Sequence, residues 1–159
     1  MTSPQGAQLI VLLGSKSDLP VIEGMEPLCR RFGITMQTEI ASAHRQPAKL
    51  HEVIAATEAA GAQVYVAVAG MAAHLPGVTA SLTLKPVIGV PVAAGPLGGV
   101  DAMLSMVQMP PGVPVATVAV GKAGAKNAVV LAARILALKD PAVAEALNAY
   151  REALAQGGQ

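Results

Sequence analysis

The 159-residue chain contains no tryptophan, one phenylalanine and two tyrosines, so aromatic residues make up 2% of it. Phe32, Tyr65 and Tyr150 all fall inside predicted helices or strands. None lies in a loop at a strand end, so nothing is available there to stack on a flavin. The single cysteine, Cys29, excludes an internal disulfide and points to a reducing compartment. It falls in a predicted helix and is expected to be a small buried residue. Charged residues are scarce, at 13%, and the net charge is +1. Without a basic stripe the chain has no means of holding a nucleic-acid backbone, which excludes DNA and RNA as expected partners.

Charge is missing altogether from three long stretches, 59–84, 86–100 and 102–121, and the mean hydropathy is +0.52. Each stretch is broken by Gly and Pro, such as Gly70 and Pro76, Pro91 and Gly95, and Pro110 and Gly112. A spanning helix needs about 20 mostly apolar residues in regular backbone, so no membrane segment is expected. Residues 1–8 are polar and the apolar run Leu9–Leu13 is too short for a signal peptide, so a cytoplasmic protein is expected. Strands buried on both faces use part of the apolar excess, and subunit contacts in an oligomer use the rest.

What is present alternates between strand and helix. Leu9–Leu13, Thr35–Ile40, Val64–Ala69, Pro86–Val90 and Val115–Val120 read as short buried strands. Helices are predicted over 19–32, 47–60, 75–82, 100–107, 125–138 and 141–154, with Asp18 and Pro47 as start signals and Gly33 and Gly61 as stops. With no hairpin signal, this order predicts a single α/β domain over 1–159. Its core is a three-layer, doubly wound, five-stranded parallel sheet of flavodoxin-like type, spanning about 9–138. An extra C-terminal helix, about 141–155, has no strand left to cover. Its Ala-rich side (Ala142, Ala146, Ala149, Ala153) suits either a neighbouring subunit or its own domain. The last residues, 157–159, are expected to fray.

Four predicted loops fall at the carboxyl edge of that sheet, where open α/β folds bind ligands. In Gly14-Ser15-Lys16-Ser17-Asp18, two hydroxyls and the free N–H groups of the next helix make an expected anion cradle. It is neither a Walker A loop nor Gly-x-Gly-x-x-Gly. Asp18 is open to two readings, a helix cap or an acceptor for ribose hydroxyls. Ser42-Ala43-His44-Arg45 sets a guanidinium fork suited to phosphate beside a proton shuttle suited to neutral pH. The small-residue run Gly70–Gly77 surrounds His74, either a core histidine or a ligand-facing one, and lets backbone approach a ligand. Pro91–Gly99 reads as a flexible wall, with Asp101 beyond it favouring the next helix's N-terminus. His51 sits in a helix away from the strand ends and is expected to play no part. No Cys/His set has metal spacing, since His44 and His51 do not form an i, i+4 pair, and the Gly-x-Ser-x-Gly elbow is missing.

Taken together the motifs resemble one family. Gly-Ser-Lys-Ser-Asp (Gly14–Asp18), Ser-Ala-His-Arg (Ser42–Arg45), Ala-Ala-His-Leu-Pro-Gly (Ala72–Gly77), Pro-Val-Ile-Gly-Val-Pro (Pro86–Pro91), Val-Gln-Met-Pro (Val107–Pro110) and Pro-Val-Ala-Thr (Pro114–Thr117) occur in family order from about Leu9 to Leu138. The chain is similar to the class I N5-carboxyaminoimidazole ribonucleotide mutases of purine synthesis. The resemblance implies His44 as acid–base catalyst, with Ser15, Ser17, Ser42 and Arg45 around the 5′-phosphate and Asp18 on the ribose. It places Ala43, Gly70, Ala72, Ala73, His74 and Leu75 among the substrate contacts, with His74 and its loop lining the pocket that holds carbon dioxide. It further implies no metal or organic cofactor, a homo-octamer with sites near subunit boundaries, and substrate supplied by an ATP-dependent carboxyaminoimidazole ribonucleotide synthetase. A related class carboxylates aminoimidazole ribonucleotide with free carbon dioxide and typically has Lys at the position of Arg45, which favours the mutase here. Two departures border the expected pocket: many members have Gly at the position of Met71, and Ala93–Gly99 differs from the commoner Gln-Ser-containing version.

Overall fold

Leu9 to Leu13 has no polar face, and the structure buries all five residues in the middle of a sheet. The computed structural model describes residues 6–158; positions 1–5 of the polar start and Gln159 of the tail lie outside the described residues. The order is β1 (Leu9–Leu13), a 3-10 turn (Lys16–Asp18), α1 (Leu19–Ile22), α2 (Met25–Phe32), β2 (Met36–Ile40), α3 (Pro47–Ala59) and β3 (Val64–Gly70). Then follow α4 (Leu75–Leu82), β4 (Val87–Val92), α5 (Val100–Val107), β5 (Ala116–Thr117), α6 (Lys122–Leu136) and α7 (Pro141–Ala155). All strand pairs are parallel and the spatial order is β2-β1-β3-β4-β5. This is the expected flavodoxin-like sheet, and its order reverses direction between β1 and β3.

Alternation along each strand feeds two separate cores. Leu9, Val11 and Leu13 join Val64, Val66 and Val68, and Ile88 and Val90, under α2 and α6. Ile10 and Leu12 join Tyr65 and Ala67 on the opposite face, under α3, α4 and α5, where Leu50, Ile54, Leu75, Ala102 and Met106 are buried. Burial on both faces explains why these strands read as continuous apolar runs. The Tyr65 hydroxyl is not stranded: it lies 2.8 Å from Thr57 Oγ1 and donates to the Ile54 carbonyl at 3.2 Å. Cys29 is buried against Met36 Sδ, and burial together with nearby Glu26 pushes its thiol up to about 12, so it is inert at neutral pH.

Several boundaries differ from the sequence reading. The single helix expected over 19–32 is two, α1 and α2, broken at Gly24. Glycine is a poor helix former, and a Cβ there would stand 2.9 Å from the Lys126 side chain of α6. β4 runs two residues beyond the expected Val90, because Pro91, read as a loop start, pairs with Ala69. β5 has two residues rather than six, and the chain beyond it tracks β4 through Val118 N–H to Gly89 O and Gly121 N–H to Pro91 O. α6 begins at Lys122, three residues earlier than expected.

α7 packs on its own domain. Val143, Ala146, Leu147 and Tyr150 face α6 and α2, while Ala142 and Ala149 stay exposed. The Tyr150 ring meets Phe32 edge-on at 5.2 Å, with the Arg31 guanidinium 4.8 Å above its face. At the end of α7, within the tail expected to fray, the Gly158 N–H donates to Ala153 O at 2.9 Å after Gly157 turns left-handed.

The start of α6 is the tightest backbone approach in this part of the fold. A Cβ on Gly124 would lie 1.6 Å from the Ala119 carbonyl oxygen. Gly124→Ala is therefore expected to lose about 3 kcal/mol of stability by forced backbone displacement. Thermal unfolding checks this, and a midpoint equal to wild type would show that the approach is not constrained.

Candidate active site

The cavity that matters lies at the carboxyl ends of the strands, on the β1/β3 reversal. It has a volume of about 480 Å³ and is lined by segments following four strands: Gly14–Asp18, Ser42–Arg45, Ala69–Leu75 and Ala94. Of the residues expected from sequence, Ser15, Ser17, Asp18, Ser42, Ala43, His44, Arg45, Gly70, Ala72, His74 and Leu75 line it. Ala73 does not, being turned into the core at 1% exposure. His51, on α3, stays outside it as expected. Only Ala94 of the expected fourth-loop wall reaches the lining.

The loop after β1 is held from within. Ser15 N–H donates to Asp18 Oδ2 at 3.0 Å, Ser17 N–H to Ser15 Oγ at 3.3 Å, and Asp18 N–H to Ser15 O at 3.2 Å. This corrects the expectation of an anion cradle built from free N–H groups: three of those donors are already engaged. Asp18 does not cap α1 with its side chain either, since its carboxylate closes the 3-10 turn back onto Ser15. The hydroxyls and the arginine are what remain to face an anion.

The arginine comes from the loop after β2. Ser42 Oγ accepts from both the backbone N–H of Arg45 at 3.3 Å and its Nε–H at 3.4 Å, and Arg45 Nη2 reaches the Gly14 carbonyl at 3.4 Å. One serine thus orients the guanidinium across the cavity floor toward the β1 loop. Gln46 N–H donates to Ser42 O at 2.8 Å, and Lys49 Nζ donates to Ile40 O at 2.7 Å, which pins the strand end from α3. Neither Gln46 nor Lys49 stands out in the sequence, because both act by fixing backbone.

The two site histidines meet. His44 Nε2 and His74 Nδ1 are 2.7 Å apart, with the rings nearly perpendicular. One nitrogen donates and the other accepts, so the pair shares a single proton along this contact. His74 is an exposed residue at the start of α4, not a core histidine.

A match to the family model described as AIR carboxylase covers residues 8–157. The chain belongs to the AIR carboxylase family. Over 142 residues it is 49% identical to the N5-carboxyaminoimidazole ribonucleotide mutase of Pyrococcus abyssi, covering 89% of this chain and 80% of that one. Over 147 residues it is 46% identical to the N5-carboxyaminoimidazole ribonucleotide mutase of Escherichia coli K12, covering 92% and 87%. The crystal structure of Treponema denticola PurE matches with a TM-score of 0.85 at 31% identity, covering 94% of this chain and 92% of that chain.

In this AIR carboxylase family member the lining also includes Gly14, Met71 and Ala94, which belong to the expected loops but were not named as contacts, and Ala69, which was read only as strand. Their signal is position alone, at or just past the strand ends. Gly70 is required on packing grounds: a Cβ there would meet Ala94 Cβ at 2.7 Å.

Asp18 is 6% exposed, and burial raises its carboxyl above the ordinary range, with hydrogen bonds from the Ser15 backbone and the Ser17 side chain offsetting part of this. A raised carboxyl pKa gives stability that is full below the unfolded value and falls as pH rises through the folded one. Asp18→Asn keeps an acceptor for Ser15 and never ionises. It is expected to match wild type in acid and to gain thermal midpoint over wild type as pH rises through the carboxylate range. A gap of constant size from acid to neutral pH would exclude Asp18 ionisation as its source.

Proposed function

We propose that this chain is an isomerase of purine biosynthesis converting N5-carboxyaminoimidazole ribonucleotide to 4-carboxy-5-aminoimidazole ribonucleotide. The observation that carries the reading is the His44–His74 pair in one cavity with the Ser42-oriented Arg45, in a member of the AIR carboxylase family. Arg45, with the hydroxyls of Ser15, Ser17 and Ser42, grips the 5′-phosphate, and a planar fork suits that group better than a point charge. Asp18 accepts from the ribose hydroxyls.

The reaction moves one carboxyl group and needs one proton in each direction. Protonated His44 gives its proton to the exocyclic nitrogen as the N–C bond of the carbamate breaks. The bonding pair goes to nitrogen and carbon dioxide is released. Ring π electrons at C4 then form the new C–C bond to carbon dioxide. The C4 proton passes to His44, which restores the aromatic ring and the acid together. His74, 2.7 Å from His44 Nε2, orients the imidazole and sets which nitrogen carries the proton between the two transfers. The side chains of Ala69, Ala72, Leu75 and Ala94 give the cavity an apolar lining suited to an uncharged gas molecule.

The deciding assay follows freshly prepared N5-carboxyaminoimidazole ribonucleotide by ultraviolet absorbance or proton NMR, without ATP or added metal. Conversion at a catalytic rate is expected. His44→Asn is expected to lower turnover by about 10²–10⁴-fold, the usual worth of general acid–base catalysis, with nucleotide affinity largely kept. Product formed from aminoimidazole ribonucleotide and free carbon dioxide, but not from the carbamate, would replace the mutase reading with the carboxylase one.

We further place the protein in the cytoplasm, downstream of an ATP-dependent synthetase that makes the carbamate, and assign it a homo-oligomer, an octamer by family resemblance. Among the described residues no helix is long and apolar enough to cross a membrane. The oligomer is supported by the outward side of α5, where Val100, Met103, Leu104 and Val107 are all exposed, beside exposed Leu97. Contiguous apolar surface of this kind marks an interaction site. Leu104→Asp is expected to shift sedimentation toward smaller species at micromolar concentration. A wild-type protein that sediments as a fully active monomer would refute the assembly.

A further inference from the structure

Met71, the first residue after β3, has φ of +55°, and among the described residues it is the one non-glycine in the left-handed region. A Cβ in that conformation crowds the adjoining carbonyl. Asn and Asp offset this by local hydrogen bonding, and Met has no such means. Strain of this sort persists where the surroundings require it, and it gathers at functional sites.

The side chain shows what the position gains. Met71 lines the cavity and yet is 57% exposed, so it stands at the rim and not in the floor. Its Cγ and Cε lie 3.7 and 3.9 Å from where a Cβ of Gly95 would stand, so the thioether chain lies along the Gly95 backbone of the loop after β4. Below it, Gly70 and Ala94 approach so closely that no side chain fits at position 70. The two loops are therefore joined at their base by the Gly70–Ala94 contact and at their rim by Met71. Turning residue 71 left-handed aims a long, flexible apolar chain across the gap between them.

We propose that Met71 is the rim that keeps released carbon dioxide in the cavity between its loss from nitrogen and its capture at C4. The inference rests on the reaction proposed above. Carbon dioxide is uncharged, so neither Arg45 nor Asp18 has a hold on it. Exclusion of water by apolar groups delays its escape and its hydration to bicarbonate and a proton. Escape leaves aminoimidazole ribonucleotide as the other product, so leakage has a direct chemical signature.

The test uses substrate labelled isotopically at the carbamate carbon, in unlabelled bicarbonate buffer with carbonic anhydrase to scavenge free carbon dioxide. Wild type is expected to carry the label into product. Met71→Gly and Met71→Ala are both expected to raise the share of turnovers ending in aminoimidazole ribonucleotide and labelled bicarbonate by at least about threefold, since both open the rim to water. Met71→Leu restores apolar bulk and is expected to retain label as wild type does. The Gly variant relieves the backbone strain and the Ala variant keeps it, so leakage from both assigns the effect to the lost side chain. Gly suits the left-handed backbone, and a thermal midpoint no lower than wild type verifies a folded comparator. Complete label transfer by the Gly and Ala variants, or leakage by the Gly variant alone, would overturn the assignment. A wild type that consumes no substrate would overturn the reaction itself, and the role of Met71 with it.

Discussion

The site depends on the register of three parallel strands. β1 lies between β2 and β3, and Leu13 pairs with Ile40 on one side and with Val68 on the other. The three strands therefore end at nearly one level, and the chains leaving them emerge around one point. Gly14, Ser42 and Gly70 follow within two residues of those paired positions. A one-residue slip in β1 would turn Leu9, Val11 and Leu13 from one core to the other, so the apolar pattern that fixes the cores also fixes where the loops open. Core packing thus brings the loops together, and the polar contacts from Arg45 to the Gly14 carbonyl and between His44 and His74 then join them across the cavity.

Within that frame each loop is stiffened by its own short-range bonds. The β1 loop folds onto Asp18, the β2 loop onto Ser42 and Gln46, and the β3 loop presses against the β4 loop through Gly70 and Ala94. This self-sufficiency uses up donors that could have met a ligand. What is left is a small set of hydroxyls, one guanidinium and two imidazoles. Two imidazoles at hydrogen-bonding distance form a unit whose proton has two homes, which suits a reaction that needs the same proton delivered and recovered.

The layers were legible because Leu9–Leu13 and Val64–Ala69 are unbroken apolar runs and the punctuation by Gly and Pro is clear, and the flavodoxin-like order followed from the count of five strands alternating with helices. Ser42–Arg45 and His74 were legible because their positions past strand ends followed from that layout. Other features depended on contacts that sequence does not display. The break at Gly24 coincides with the approach of the Lys126 side chain from α6, a contact between elements far apart in sequence. Pro91 reads as a breaker, yet it lies inside β4, one residue before its end, where its carbonyl is the group in use. Ala73 sits in a run of site residues but points the other way, since a turn into a helix sends successive side chains in different directions. The engaged N–H groups of the β1 loop were misread for a similar reason: a serine and an aspartate three apart satisfy each other before any ligand arrives.

Phe32 and Tyr150 pair under α7, and Tyr65 is sealed beneath α3, so among the described residues the aromatic rings lining the cavity are the imidazoles of His44 and His74. A base entering there finds no tyrosine or phenylalanine face, and each imidazole already meets the other nearly perpendicular, with ring centroids 4.8 Å apart. The scarcity of large aromatic residues thus leaves recognition at this sheet edge to hydroxyls, one guanidinium and two imidazoles, groups that select by polarity and not by the breadth of a flat ring.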